Sequence, residues 1–291
     1  MRSRYHALVD VETVALTLVA LLAFASNSLL TRFALGAREI DAATFALVRL
    51  VSGAVVLAVI VRAQAGTLTP LRRRGPLGPV ALFLYAVPFS FAYLRIGAAV
   101  GALVLFGVVQ LTMIGYGIFR GERPSARAWL GLVLAMGGLA ALTVPSAARP
   151  DPLGLALMVV AGVAWAAYSL LGKGVPDPLA SNASSFIWAS LPAALLVAAG
   201  HATVATSGRG VVLAVVSGGV TSGLGYAVWF RALRRLSVTQ AAVAQLSVPV
   251  IAAAGASALL REALSARFVL CSAAVLGGVG LVLSARARQH R

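Results

Sequence analysis

The chain has 291 residues, of which 60% are hydrophobic and 11% charged, with a mean hydropathy of +0.94; that is far too apolar for a soluble domain of this size. Its formal charge of +16 invites a nucleic-acid reading, which the distribution of the charge argues against below. One cysteine, Cys271, excludes a disulfide framework or a thiol–metal site within one chain. The histidines His6, His201 and His290 fall outside or at the edge of the apolar runs, so no metal site or cofactor is expected.

A membrane-crossing helix needs about 20 apolar residues. The apolar runs predict ten, near 12–34, 42–62, 79–95, 98–119, 128–145, 153–172, 183–200, 210–230, 237–260 and 268–285. These runs are too long, and too poor in polar/apolar alternation, for a β-barrel. Span one carries Asn27 and Thr31 one turn apart. Arg2, Arg4 and the small residues Ala23-Phe24-Ala25 imitate a secretory signal, but cleavage is not expected. The apolar run continues to Leu35, and the second half of the chain has a counterpart of this span.

Span two holds Arg49, with Ser52 and Gly53 on the same face, about 10 Å from the span's outer end at 1.5 Å per residue. A cation at such depth costs from about 2.5 to over 10 kcal/mol. Three readings stand: the arginine faces a water-filled cavity and meets a carboxylate or other anion, its stem snorkels to headgroups, or it bonds helix-end carbonyls. In span three, Tyr85, Phe89 and Tyr93 recur every four residues beside Pro88, and in span four Gln110 and Thr112 interrupt a Val/Leu run. Glu122 follows span four between Arg120 and Arg123, which predicts a helix-end ion pair at the membrane surface. A link rich in proline, from Pro145 to Pro152, separates two halves, 1–148 and 149–291.

In span six, Trp165, Tyr168 and Ser169 share a face; in span eight, Ser222, Tyr226 and Trp229 do likewise. Span nine has Gln245 and Pro249 one turn apart. Pro88, Pro192 and Pro249 each remove a backbone donor and predict a kink. Asn27, Gln110 and Gln245 read either as glue between helices or as lining of a solute path. The aromatic side chains read either as packing and interfacial belts or as cavity walls. The acids Asp10, Glu12, Glu39, Asp41, Asp151 and Asp177 all fall in links or at span ends, so none is expected in mid-membrane.

The two halves repeat. Residues 97–142 laid over 237–282, at a constant offset of 140, coincide at ten of 46 positions. Among them are Gly115/Gly255, Glu122/Glu262, Ser125-Ala126-Arg127 over Ser265-Ala266-Arg267, and Gly137-Gly138 over Gly277-Gly278. Five spans per half invert the second copy, an arrangement typical of secondary transporters. With the N-terminus inside, sixteen Lys/Arg flank the inner span ends and six the outer ends. That bias predicts cytoplasmic termini and accounts for the basic excess without nucleic acid.

Phe119-Arg120-Gly121-Glu122-Arg123-Pro124 followed by Trp129-Leu130-Gly131, and Pro249 with Leu260-Arg261-Glu262 further on, form a helix end, a short basic turn and a glycine-rich helix. In this the chain resembles the drug/metabolite transporter superfamily, in particular EamA-type proteins with two five-helix repeats. The resemblance spans roughly 14–285 and also covers Arg49, where such proteins commonly place an arginine. It implies an all-α integral membrane bundle with a central cavity, lined mostly by spans one, three, four, six, eight and nine, with spans five and ten peripheral. The first copy lacks the proline that Pro249 supplies in the second, and Arg261 replaces the glycine that precedes Glu122.

The expected function is secondary transport, most naturally export, of an amino acid, metabolite or drug-like solute across a bacterial inner membrane. Asn27, Arg49, Gln110 and Gln245 would meet polar groups, and Tyr85, Trp165, Tyr168, Tyr226 and Trp229 apolar ones. The expected partners are a small-molecule substrate and the lipid bilayer, with a homodimer left open. No enzyme constellation is legible. The rival readings are a non-transporting scaffold or regulatory subunit and a membrane enzyme acting on lipid-linked substrates.

Overall fold

A computed structural model describes residues 10–68, 75–143, 151–201, 206–260, 265–285 and 288–289. Ten helices are long and apolar enough to cross a membrane: α1 (Val11–Gly36), α2 (Ala42–Ala65), α3 (Leu77–Ile96), α4 (Val100–Phe119), α5 (Ala126–Thr143), α6 (Pro152–Gly172), α7 (Pro178–Gly200), α8 (Gly208–Leu233), α9 (Val238–Leu259) and α10 (Ala266–Leu283). The protein is thus an all-α, ten-span membrane bundle. Arg72–Arg74, most of the link between the halves, Arg261 and Glu262 lie outside the described residues.

The acids at span ends are there because the helices need them. Asp10, Asp41, Asp151 and Asp177 each accept a hydrogen bond from a first-turn amide, at 2.7–3.0 Å, satisfying donors that lipid cannot. Asp177 also sets the start of α7 at Pro178, five residues earlier than expected, because proline fits the first helical position. Ser237 and Gln240 close a capping box at the start of α9.

Helical assignment runs from Leu77 through Phe119 with no intervening loop. Both arms nevertheless lie along α6: the α-carbon of Gly154 abuts Ile96, Gly101 abuts Met158, Gly162 abuts Leu105 and Val108, and Tyr85 stacks on Trp165. The chain therefore reverses near Ile96–Val100. Polar contacts sort the links to two ends of the bundle. At one end Arg235 pairs with Asp10 (3.3 Å) and Glu12 (2.7 Å), and Glu122-Arg123 forms a two-residue antiparallel bridge with Arg288-Gln289. At the other, Glu39 meets Ser207 (2.5 Å) and Arg209 (3.4 Å), and Arg95 meets Asp151 (3.2 Å).

Of the three prolines expected to kink a helix, two leave it unbroken: α3 continues through Pro88 and α7 through Pro192. At Pro249 the outcome differs. The helix stops at Ala244 and resumes at Ser247. Pro249 has no N–H for the carbonyl of Gln245, one turn back, and that carbonyl instead accepts from Val248 N at 3.0 Å. The middle of α8, Ser217–Leu224, is wound as a π-helix, and it carries Gly218, Gly219 and Gly223. A side chain on Gly218 would strike the Arg49 carbonyl and Ser52 Oγ, so this glycine is what lets α2 and α8 touch backbone to backbone.

Helices α5 and α10 pack on one another at the edge. A Cβ on Gly131 would sit 2.6 Å from the Gly278 carbonyl, and one on Gly138 would sit 2.9 Å from the Cys271 carbonyl. Adding or subtracting 140 converts one contact into the other. Large apolar side chains such as Leu18, Leu22, Val59, Leu130, Leu195 and Leu270 point outward, as a bundle immersed in hydrocarbon requires.

Candidate substrate site

The polar centre is built where α1, α2 and α8 meet. Arg49 is 1% exposed, so it does not snorkel. Its Nε donates to Ser222 Oγ at 2.9 Å and its Nη2 to Tyr226 OH at 2.5 Å. The guanidinium carbon lies 5.4 Å from the Tyr85 ring centroid, a cation–π arrangement worth about 0.5–2 kcal/mol. Nη1 has no partner. Among the described residues no carboxylate, one of the anions considered for it, neighbours Arg49: hydroxyls and a ring face surround it. Asn27 anchors the hydroxyls, its Oδ1 accepting from Ser217 (2.6 Å), Ser222 (3.4 Å) and Thr221 (3.5 Å). The π-turns of α8 present these three residues together, which regular helical spacing would not.

A buried aromatic layer adjoins this centre. Trp165 lies 4.7 Å from Tyr226, 4.8 Å from Tyr85 and 5.2 Å from Phe24, centroid to centroid. Tyr168 extends the layer, 6.2 Å from Tyr226, and its hydroxyl donates to Asn182 Oδ1 at 2.8 Å. Trp229 packs on Phe24 at 5.6 Å and donates Nε1–H to Ser169 Oγ at 3.2 Å. Trp165 donates to Gln245 Oε1 at 2.6 Å, tying the layer to the break in α9. Eight of the nine residues singled out from the sequence therefore form one connected cluster. Gln110 stands apart: its Nε2 binds the Ala242 carbonyl at 2.8 Å, a cross-helix tie, and its Oε1 is buried without a partner.

Phe24, Ser217 and Asn182 belong to the cluster and were not anticipated. Phe24 could have been found, since Phe24, Asn27 and Thr31 occupy one helical face. Ser217 could not, because its contact with Asn27 joins segments 190 residues apart.

Two cavities approach the layer from opposite ends. One, of about 270 Å³, lies toward the end where α1 finishes and is lined by Arg32, Phe89, Tyr93, Phe106, Pro249 and Ala252 among others. The second, of about 540 Å³, lies toward the end where α3 begins; Tyr168, Ser181, Ser184, Ser185 and Phe230 line it. Among the described residues neither wall contains Asp or Glu. Phe89 in the first cavity stacks on Tyr85 at 5.6 Å, and Tyr168 in the second touches Trp165, so the aromatic layer is what separates them. No group of His, Cys, Asp or Glu among the described residues could hold a metal ion.

Glu122 corrects an expectation. Its carboxylate pairs with no arginine among the described residues and instead caps α9, accepting from Val238 N (2.7 Å), Thr239 N (3.1 Å) and Thr239 Oγ1 (2.9 Å). Nearby, Lys173 Nζ donates to the carbonyls of Leu233 (2.8 Å) and Leu236 at the end of α8. Anion at a helix start and cation at a helix end both oppose the local backbone dipole. Burial pushes the Lys173 ammonium below the ordinary lysine range, and Glu122 partly opposes that shift.

Ten spans around a closed polar and aromatic centre, with a cavity on either side, define a multi-pass integral membrane protein of the solute-transporter class. Residues 152–284 match the EamA-like transporter family. An uncharacterized protein of Pseudomonas aeruginosa is 48% identical over 277 residues, covering 95% of this chain and 96% of its own. An uncharacterized transporter of Archaeoglobus fulgidus is 28% identical over 219 residues, covering 72% and 76%. A protein of known crystal structure shares the fold with a TM-score of 0.81 at 20% identity, over 94% of this chain and 98% of the other. The chain belongs to the EamA-like transporter family, and so to the membrane transporters of the drug/metabolite type.

Proposed function

We propose that the protein is a secondary transporter of the bacterial inner membrane that exports a small organic solute by alternating access. The observation that carries this reading is Arg49. A buried cation without a carboxylate costs several kcal/mol, and an apolar residue would avoid that cost. Its free Nη1 and its position behind an aromatic layer that closes off two cavities suit a group kept for a solute to meet. In this reading the halves 1–148 and 149–291 are inverted repeats with cytoplasmic termini, and rocking one against the other opens the two cavities in turn. The charge bias across the links and the exchange of the α5–α10 contacts at an offset of 140 both favour it. A solute entering from the cavity beside Tyr168 would displace the Trp165–Tyr226 contact, bind at Arg49 and Asn27, and leave past Phe89.

The test is efflux from proteoliposomes loaded with mixed amino acids, sugars, nucleosides and cationic drugs, followed by mass spectrometry of the medium. Selective release by the wild type, lost in Arg49→Ala protein that still elutes as a folded species, is the expected result. Normal release by Arg49→Ala would remove Arg49 from the pathway. No release under imposed proton or sodium gradients would favour a regulatory role.

A further inference from the structure

The cavity beside Phe89 holds a second arginine, Arg32, with no carboxylate partner among the described residues. Arg32 is exposed to the cavity and makes no hydrogen bond or ion pair with the described residues. The walls around it are otherwise mostly apolar, including Phe89, Phe106, Leu105, Pro249 and Ala252. From Phe89 the ring contacts lead through Tyr85, at 5.6 Å, to the Arg49 guanidinium, 5.4 Å beyond. Two arginines with no carboxylate partner among the described residues are therefore linked by one cavity wall and its ring contacts. The described acids lie elsewhere: capping helices, as Asp10, Asp41, Asp151, Asp177 and Glu122 do, or paired with arginine at the bundle ends, as Glu12 and Glu39 are.

From this geometry we propose that the transported solute is a small organic anion with a flat apolar body, and that Arg32 is a second anion station on its route, in series with Arg49. This rests on the transporter reading above and names its substrate class. The physics is selective in both directions. A guanidinium without a carboxylate partner attracts a carboxylate, phosphonate or sulfonate, and its planar fork can bind two oxygens at once. A cationic solute would pass two like charges with no carboxylate among the described residues to offset either. A neutral solute gains nothing from the cost of keeping Arg49 buried. The apolar walls and the Phe89–Tyr85 faces accept a ring, and about 270 Å³ falls below the roughly 300–1,000 Å³ typical of sites for drug-sized ligands, which favours a body of about one ring.

Phenylacetate, phenylacetamide and phenethylamine share one ring and differ in charge, so they isolate the variable. Binding to the purified full chain is read by tryptophan fluorescence, since Trp165 lies in the aromatic layer, and by calorimetry. Flux is read by counterflow in proteoliposomes, corrected for protein-free vesicles. The expected result is that phenylacetate binds and exchanges at least about tenfold better than the amide or the amine. Arg32→Gln should weaken phenylacetate binding about tenfold, the lower range for loss of a charge-assisted contact, while Arg32→Lys retains most of the affinity. Arg32 bonds to no described neighbour, so both variants should elute as the wild type does. Equal or better handling of the amine or amide overturns the substrate class and leaves the transporter reading intact. An unchanged anion preference in Arg32→Gln overturns the second station. Failure of folded protein to bind or move phenylacetate also overturns the proposal; release of another solute in the broad efflux screen would show that transport itself survives.

Discussion

The indole N–H of Trp165 donates to Gln245 Oε1 at 2.6 Å, and Gln245 is the residue at which α9 breaks. One side chain thus joins the aromatic layer to the interrupted span, so movement of either must be felt by the other. Gln245→Leu keeps the bulk but leaves the buried Trp165 N–H without an acceptor. The expected loss is about 1–3 kcal/mol, read as a lower melting temperature in detergent. An unshifted melt would mean that the indole finds another acceptor and that the link carries no energy.

Pro249 causes the break, so its removal should heal it. In Pro249→Ala the Gln245 carbonyl regains an amide partner one turn on, and the helix loses a residue that is about 3 kcal/mol unfavourable in a helix interior. The variant should melt higher and transport more slowly, because a continuous α9 loses its articulation beside the cavity. Unimpaired efflux from the stabilised protein would show that the break is not used in the cycle.

The paired glycines of α10 should behave oppositely. A methyl group on Gly278 would meet the Gly131 carbonyl and, at 2.7 Å, the Ala135 amide, whereas Gly277 has open space around it. Gly278→Ala should therefore cost about 1–3 kcal/mol through overpacking, and Gly277→Ala should be neutral or gain up to about 1 kcal/mol of helix propensity. Yield of folded protein from membranes compares them directly; equal yields would contradict the close α5–α10 contact.

Glu122 caps α9, so Glu122→Ala should destabilise by about 0.5–2 kcal/mol, and Glu122→Gln by less because an acceptor oxygen remains. Lys173 adds a pH signature. Its folded pKa lies below the ordinary 10.5, so in the window beneath 10.5 the unfolded chain holds a proton that the folded chain has released. Stability should rise with pH through that window, and Glu122→Ala, by deleting the charge that opposes the shift, should widen it toward lower pH. Melting curves of both proteins between neutral pH and 10.5 measure this; a fall with pH in the wild type would contradict it.

The number of spans and most of their limits were legible in the amino-acid sequence, because crossing hydrocarbon demands long apolar runs whatever packs beside them. The acids at span ends were visible for a related reason: helix starts need acceptors, and lipid tolerates charge nowhere deeper. Arg49 stood out by the same cost. Its surroundings did not, since hydroxyls on α8 reach Asn27 and Arg49 only after π-turns and Gly218 bring α2 and α8 together. Glu122 shows the difference most clearly. Its neighbours in sequence are arginines, and local spacing pairs it with them; in the folded chain two backbone amides and a hydroxyl from a helix over 110 residues away occupy its oxygens instead. Composition decides where a chain must lie in a membrane because solvation acts on each residue separately. Which polar groups meet inside depends on contacts between distant segments, and those exist only once the helices have packed.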